Sequence, residues 1–217
     1  MPKEEFIGRY KKLSVNKAEI LAVRLYTGPM YELYNHVLRA AQIKPAPGSL
    51  TEPAQLTGDR TYPHGPGRTS TGVLSDGKTA GRFVTTIHSI NSAILKLSQL
   101  TPIATVYRGC SGRDMPEQLL RPDAWGSKLG IEYGLMSTTT SKAVALHYSK
   151  DRDAERGLSY VMEFEMDGLN RGAMIQFLSQ YPKEEEVLFG PLTGLEVMQQ
   201  SWLHGVRHPE LKLNIPA

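Results

Sequence analysis

Three acids, Glu184-Glu185-Glu186, run directly into Val187-Leu188-Phe189. If a strand begins at the acids, side-chain alternation puts Glu184, Glu186 and Leu188 on one face and Glu185 on the other. Two carboxylates two residues apart can then enter one cleft and act on one ligand. Upstream, Val106-Tyr107-Arg108-Gly109 sets an arginine at a strand end beside open backbone. A guanidinium fork there suits a diphosphate, which takes bidentate bonds from Arg. Between them lies Met136-Ser137-Thr138-Thr139-Thr140-Ser141. A hydroxyl-rich strand of this kind can orient a neighbouring carboxylate or bind a ribose. Each motif singly also has a purely structural reading: a solvated charge run, a surface ion pair, and a Thr-rich strand edge with a helix cap.

The elements that must carry these residues follow from periodicity. Lys17 to Tyr26 has a helical apolar face, and Gly28-Pro29 interrupts it. Met30, Tyr34, Val37, Leu38 and Ala41 predict a second amphipathic helix. Residues 44–81 are broken by repeated Pro and Gly and predict a long irregular excursion with at most a short helical turn. Phe83, Ile87, Ile90, Ile94 and Leu97 predict a helix over 82–100, with Pro102 beyond its end. Strand patterns follow at 104–108, 132–139, 160–166, 187–189, 195–198 and 211–215. Thr140 or Ser141 can cap a helix that runs through Ala143, Val144, Leu146 and Tyr148. Helices first and strands after argue an α+β domain with a mixed or antiparallel sheet.

Composition narrows the function classes. The chain has 217 residues, 40% hydrophobic and 22% charged, which fits one globular domain over 1–217. Its net charge of +3 is spread without a dense basic block, so no nucleic-acid partner is expected. The single cysteine, Cys110, excludes an intramolecular disulfide. No secretory pattern opens the sequence and no apolar run approaches a membrane span, so a cytoplasmic protein is expected, or a secreted effector if a leader has been removed. The six histidines and Cys110 show no ligand spacing, and no metal is expected.

Order and separation join the three motifs. Arg108, then Ser137-Thr138-Thr139 about thirty residues on, then Glu184-x-Glu186 about fifty further, resembles the arginine–serine–glutamate class of mono-ADP-ribosyltransferases. That class includes vertebrate arginine-specific ecto-enzymes and bacterial toxins. Tyr26-Thr27-Gly28, Tyr34-Asn35 and Leu38-Arg39 resemble its helical lobe, so the likeness spans roughly residues 20 to 200. Thr139 stands where the class usually has Ser, and Gly190 where it often has Pro.

The resemblance implies an amino-terminal helical lobe over 1–100 and a β-rich core over 101–217, built as two packed, mainly antiparallel sheets around an NAD cleft. It implies NAD as substrate, cleaved between nicotinamide and ribose. Glu186 would stabilise the cationic ribose through its 2′-hydroxyl, and Ser137 would hold Glu186 in place. Arg108 would bind the phosphates, with Gly109, Thr138 and Tyr148 as further NAD contacts; Tyr148 would stack on nicotinamide. A second NAD-contacting arginine is expected, with Arg152 and Arg171 both open. Glu184 favours an arginine acceptor, because a carboxylate can bind a guanidinium and take its proton. Tyr181, on the loop before the acids, would meet an acceptor protein with an exposed arginine. The enzyme is expected to be a monomer. An NAD glycohydrolase and a silent NAD-binding module are the competing readings.

Overall fold

A computed structural model describes residues 3–40, 54–55, 83–110, 117–149, 160–202 and 209–214. Helices come first. Helix α1 (Lys3–Lys12) precedes α2 (Lys17–Leu25), a π-turn (Tyr26–Met30), α3 (Tyr31–Ala40) and α4 (Val84–Leu97), which tightens into a 3-10 turn at Ser98–Leu100. The sequence patterns do not predict α1. The start of α2 is fixed by reciprocal bonds between Asn16 and Glu19, a capping box. The free oxygen of Glu19 takes Lys96 Nζ at 2.7 Å and Ser92 Oγ at 2.6 Å, tying α2 to α4. Gly28 leaves helical geometry (φ −95, ψ −164), which separates α2 from α3 where Gly-Pro predicted a break.

Strands dominate the remainder. They are β1 (Ala54–Gln55), β2 (Thr105–Cys110), β3 (Leu129–Glu132), β4 (Met136–Thr139), β5 (Tyr160–Glu165), β6 (Ala173–Met174), β7 (Glu186–Phe189), β8 (Thr193–Trp202) and β9 (Pro209–Asn214). Short helices α5 (Glu117–Leu120) and α6 (Lys142–Ser149) are set among them. The ladder order is β1-β3-β8-β9-β5-β2-β4-β7-β6, antiparallel except at β1–β3 and β5–β9. Leu195 of β8 shares one core cluster with Val187 and Phe189 of β7, although these strands lie far apart along the ladder. The ladder therefore folds over, and the two expected sheets are two halves of one hydrogen-bonded array. Leu188 faces the other way, into a second cluster with Val23, Tyr34, Ile90 and Leu97 of the helices.

Two expectations are corrected. The strand expected over 132–139 is two strands, because Asn35 takes over the backbone between them: its Oδ1 accepts from Leu135 N at 2.7 Å and its Nδ2 donates to Leu135 O at 3.3 Å. The strand expected to start at the three acids starts at Glu186; Glu184 ends a 3-10 turn (Pro182–Glu184), and Glu185 has a left-handed backbone (φ 48). Within the excursion over 44–81, residues 54–55 form a strand; the rest of the stretch, with the short helical turn expected in it, lies outside the described residues.

Candidate active site

The site forms where β4 and β7 pair. The register sets Ser137 opposite Leu188 and Thr139 opposite Glu186. Ser137 Oγ donates to Glu186 Oε1 at 2.6 Å. Thr139 Oγ1 donates to the main-chain oxygen of Glu184 at 2.6 Å. Both hydroxyls thus lie on one face of β4 and hold the two acids from behind. Thr138, expected among the NAD contacts, is turned to the opposite face by strand alternation, and its hydroxyl is committed to the Val187 carbonyl at 2.7 Å.

Glu186 is 6% exposed. Burial pushes its carboxyl up to about 7; the Ser137 bond works against that shift and the nearby Glu184 charge adds to it. The two carboxylates therefore share one site, although one stands on a strand and the other on a turn.

Arg108 reaches the same place from β2. Its Nη1 donates to the Ser137 carbonyl at 3.5 Å, and its Nη2 lies 3.8 Å from Glu132 Oε2. Glu132, 1% exposed, also takes both Nε (3.2 Å) and Nη2 (3.4 Å) of Arg39, and accepts from the Gly134 amide at 2.8 Å. Burial works against the charge on Arg108, but Cys110 and Glu132 outweigh it, and its pKa is raised. The buried Tyr26 phenol, also raised chiefly by burial, feels both Glu186 and Arg108. Of the two candidates for a second arginine, Arg171 bonds the Thr101 carbonyl at 3.4 Å and Arg152 lies outside the described residues. Arg39 is the arginine held beside Arg108.

Gly109 is where α6 lies against β2. A Cβ there would sit 1.9 Å from the Ala145 carbonyl oxygen and 2.8 Å from Ser149 N, so only glycine admits the helix. Ser141 caps α6 through Val144 N at 3.4 Å. That seating brings Tyr148, 53% exposed, to donate its hydroxyl to Glu184 Oε1. Tyr181, 55% exposed, opens the turn that carries Glu184. The loop is held at its base by Gln180, whose N and Nε2 bond Thr27 Oγ1 (3.1 Å) and the Arg24 carbonyl (2.9 Å).

The structure thus gathers Arg108, Gly109, Ser137, Tyr148, Glu184 and Glu186 into one region. Sequence reasoning missed Glu132, Asn35 and Arg39 as parts of the site. The signal for Glu132 was present: a lone acid in the otherwise apolar run Leu129-Gly130-Ile131-Glu132. Among the described residues no group of three His, Cys, Asp or Glu is placed to hold a metal, and no helix is long and apolar enough to cross a membrane.

No curated protein matches the sequence. Several solved structures share the fold. The Vis toxin of Vibrio splendidus, an ADP-ribosyltransferase, superposes with a TM-score of 0.61 at 19% identity, covering 100% of this chain and 87% of its own. The same enzyme has been solved with agmatine. Exoenzyme S of Pseudomonas aeruginosa, solved with carba-NAD, gives 0.58 at 19% identity over 98% of this chain and 80% of its own. An ADP-ribosyltransferase of Clostridium botulinum gives 0.57 at 16% identity, over 98% of this chain and 93% of its own. The family model for ADP-ribosyltransferase exoenzymes matches residues 6–202, nearly the whole sequence. The chain therefore belongs to the ADP-ribosyltransferase exoenzyme family.

Proposed function

We propose that this chain cleaves NAD and transfers the ADP-ribose to an arginine of an acceptor protein, releasing nicotinamide. The observation that carries the reading is the buried Glu186 carboxyl, held by Ser137 and neighboured by Glu184. Glu186 stabilises the positive charge that develops on the ribose as its bond to nicotinamide breaks, acting through the 2′-hydroxyl. Arg108 holds the diphosphate, with Arg39 as the second arginine, and the Gly109 backbone meets the nicotinamide amide. The Tyr148 ring supports the nicotinamide. On the acceptor side, Tyr181 contacts the protein and Glu184 binds the guanidinium. One guanidinium nitrogen attacks the ribose carbon, and its proton passes to Glu184. The catalytic domain spans 1–217 and acts as a monomer without metal. The family's exoenzyme character favours a secreted effector over a cytoplasmic enzyme.

Incubation with NAD and agmatine tests the reading, since agmatine presents a simple guanidine. Glu186→Ala abolishes nicotinamide release. Glu184→Gln keeps NAD hydrolysis and loses adduct formation, because an amide binds a guanidinium without removing its proton. Were Glu184→Gln to modify agmatine as fast as the parent, the acceptor role of Glu184 would be wrong. Free ADP-ribose with no adduct would make the chain an NAD glycohydrolase. Tight NAD binding without nicotinamide release would make it a silent binding module.

A further inference from the structure

Neither stacking on nicotinamide nor closing the core requires the Tyr148 hydroxyl to sit on Glu184 Oε1. The backbone of Glu184 is already pinned on both sides. Its carbonyl takes the Thr139 hydroxyl at 2.6 Å, and its amide donates to the Tyr181 carbonyl at 3.0 Å. What remains free is the side chain, and the last torsion of a glutamate is broad and nearly two-fold. An ionised carboxylate offers about four lone-pair sites. A phenol occupying one of them leaves Oε2, and the second site of Oε1, for the two prongs of a guanidinium. The bond therefore fixes the carboxylate plane without blocking its acceptor.

We propose that the Tyr148 hydroxyl is a positioning group that aims the Glu184 carboxylate at the acceptor guanidinium, and so sets how ADP-ribose divides between acceptor and water. This rests on the acceptor role given to Glu184 above. Ring and hydroxyl do separate work: the ring serves the NAD side and the hydroxyl serves the acceptor side. The hydroxyl keeps its proton throughout, because burial, then the bond to Glu184 and its charge, push the phenol up to about 12. The seat of α6 at Gly109 fixes where the phenol can reach.

Tyr148→Phe is the test, with NAD and agmatine in one tube and both products quantified by mass spectrometry. Any effect of the ring on NAD binding enters transfer and hydrolysis alike and cancels in the product ratio. The ratio of agmatine adduct to free ADP-ribose is expected to fall about tenfold, the scale of one hydrogen bond to a charged group. Most of that loss is expected as a raised KM for agmatine. A merely structural tyrosine would lower both products together and leave the ratio alone. If the parent forms adduct and the variant's ratio stays within about twofold of it, the positioning role is overturned while the arginine reading stands. A parent that yields only free ADP-ribose overturns both.

Discussion

At the scale of single residues, the role proposed for Glu186 makes its ionisation bear on both catalysis and stability. Its carboxyl is buried and pushed up to about 7, and in the proposed mechanism it must be charged to steady a cationic ribose. The kcat/KM for nicotinamide release is therefore expected to rise with pH through about 7, where this group loses its proton. Ser137→Ala removes the bond that favours the charged form, so the midpoint should move up. A profile flat between about pH 5 and pH 9 would contradict this. Stability runs the opposite way. The folded value lies above the ordinary 4.5, so the native protein holds the proton more tightly than the unfolded chain. The stability this gives is complete below about 4.5 and is lost as pH rises through about 7. Glu186→Gln keeps the shape and never ionises. It should match the parent near pH 4 and be more stable above pH 7, by up to about 3 kcal/mol in thermal denaturation.

At the scale of elements, two contacts place the site and each can be broken singly. The first is the seat of α6 on β2. A methyl at position 109 would meet helix backbone rather than a flexible side chain, so Gly109→Ala must lift α6. Both the Tyr148 hydroxyl and the Arg108 strand end would shift, and nicotinamide release should fall by about a hundredfold, since displacements near 1 Å cost that much. The second is Asn35, which substitutes for a strand partner between β3 and β4. Asn35→Ala leaves the buried Leu135 amide without its partner, while the carbonyl keeps the Tyr26 hydroxyl at 3.4 Å, at a cost of about 1–3 kcal/mol in a denaturant midpoint. An unchanged midpoint would mean that the Asn35 bonds do not hold the strand break.

At the scale of the whole molecule, the helical lobe and the β-rich core are bound through a buried charge. Glu132 comes from β3, Arg39 from α3 and Arg108 from β2, so one carboxylate joins both halves and sets two guanidinium groups side by side. Unpairing a fully buried ion pair costs about 3–5 kcal/mol. Arg39 and Arg108 keep 23% and 19% of their side chains exposed, so Glu132→Ala should cost nearer 2–3 kcal/mol, roughly a 4–12 °C fall in Tm for a chain of this size. The same variant should raise KM for NAD, because the two guanidinium groups lose the carboxylate that holds them side by side. A fall in Tm with KM for NAD unchanged would limit Glu132 to a structural part.

The sequence by itself determined the order of helices and strands and the break at Gly28-Pro29, which follow from side-chain period and backbone freedom. Arg108, Ser137, Glu184 and Glu186 were singled out by the resemblance that their order and separation bear to a known family, since each motif alone has a purely structural reading. It misplaced the start of β7, because alternation cannot reveal that Glu185 adopts a left-handed backbone and turns Glu184 out of the strand. It read one strand over 132–139, since the side chain that interrupts it, Asn35, lies about a hundred residues away along the chain. Arg39 beside Arg108 and Tyr148 on Glu184 were decided in the same way. Each depends on how helices seat against the sheet, and packing between distant segments leaves no period in the sequence to read.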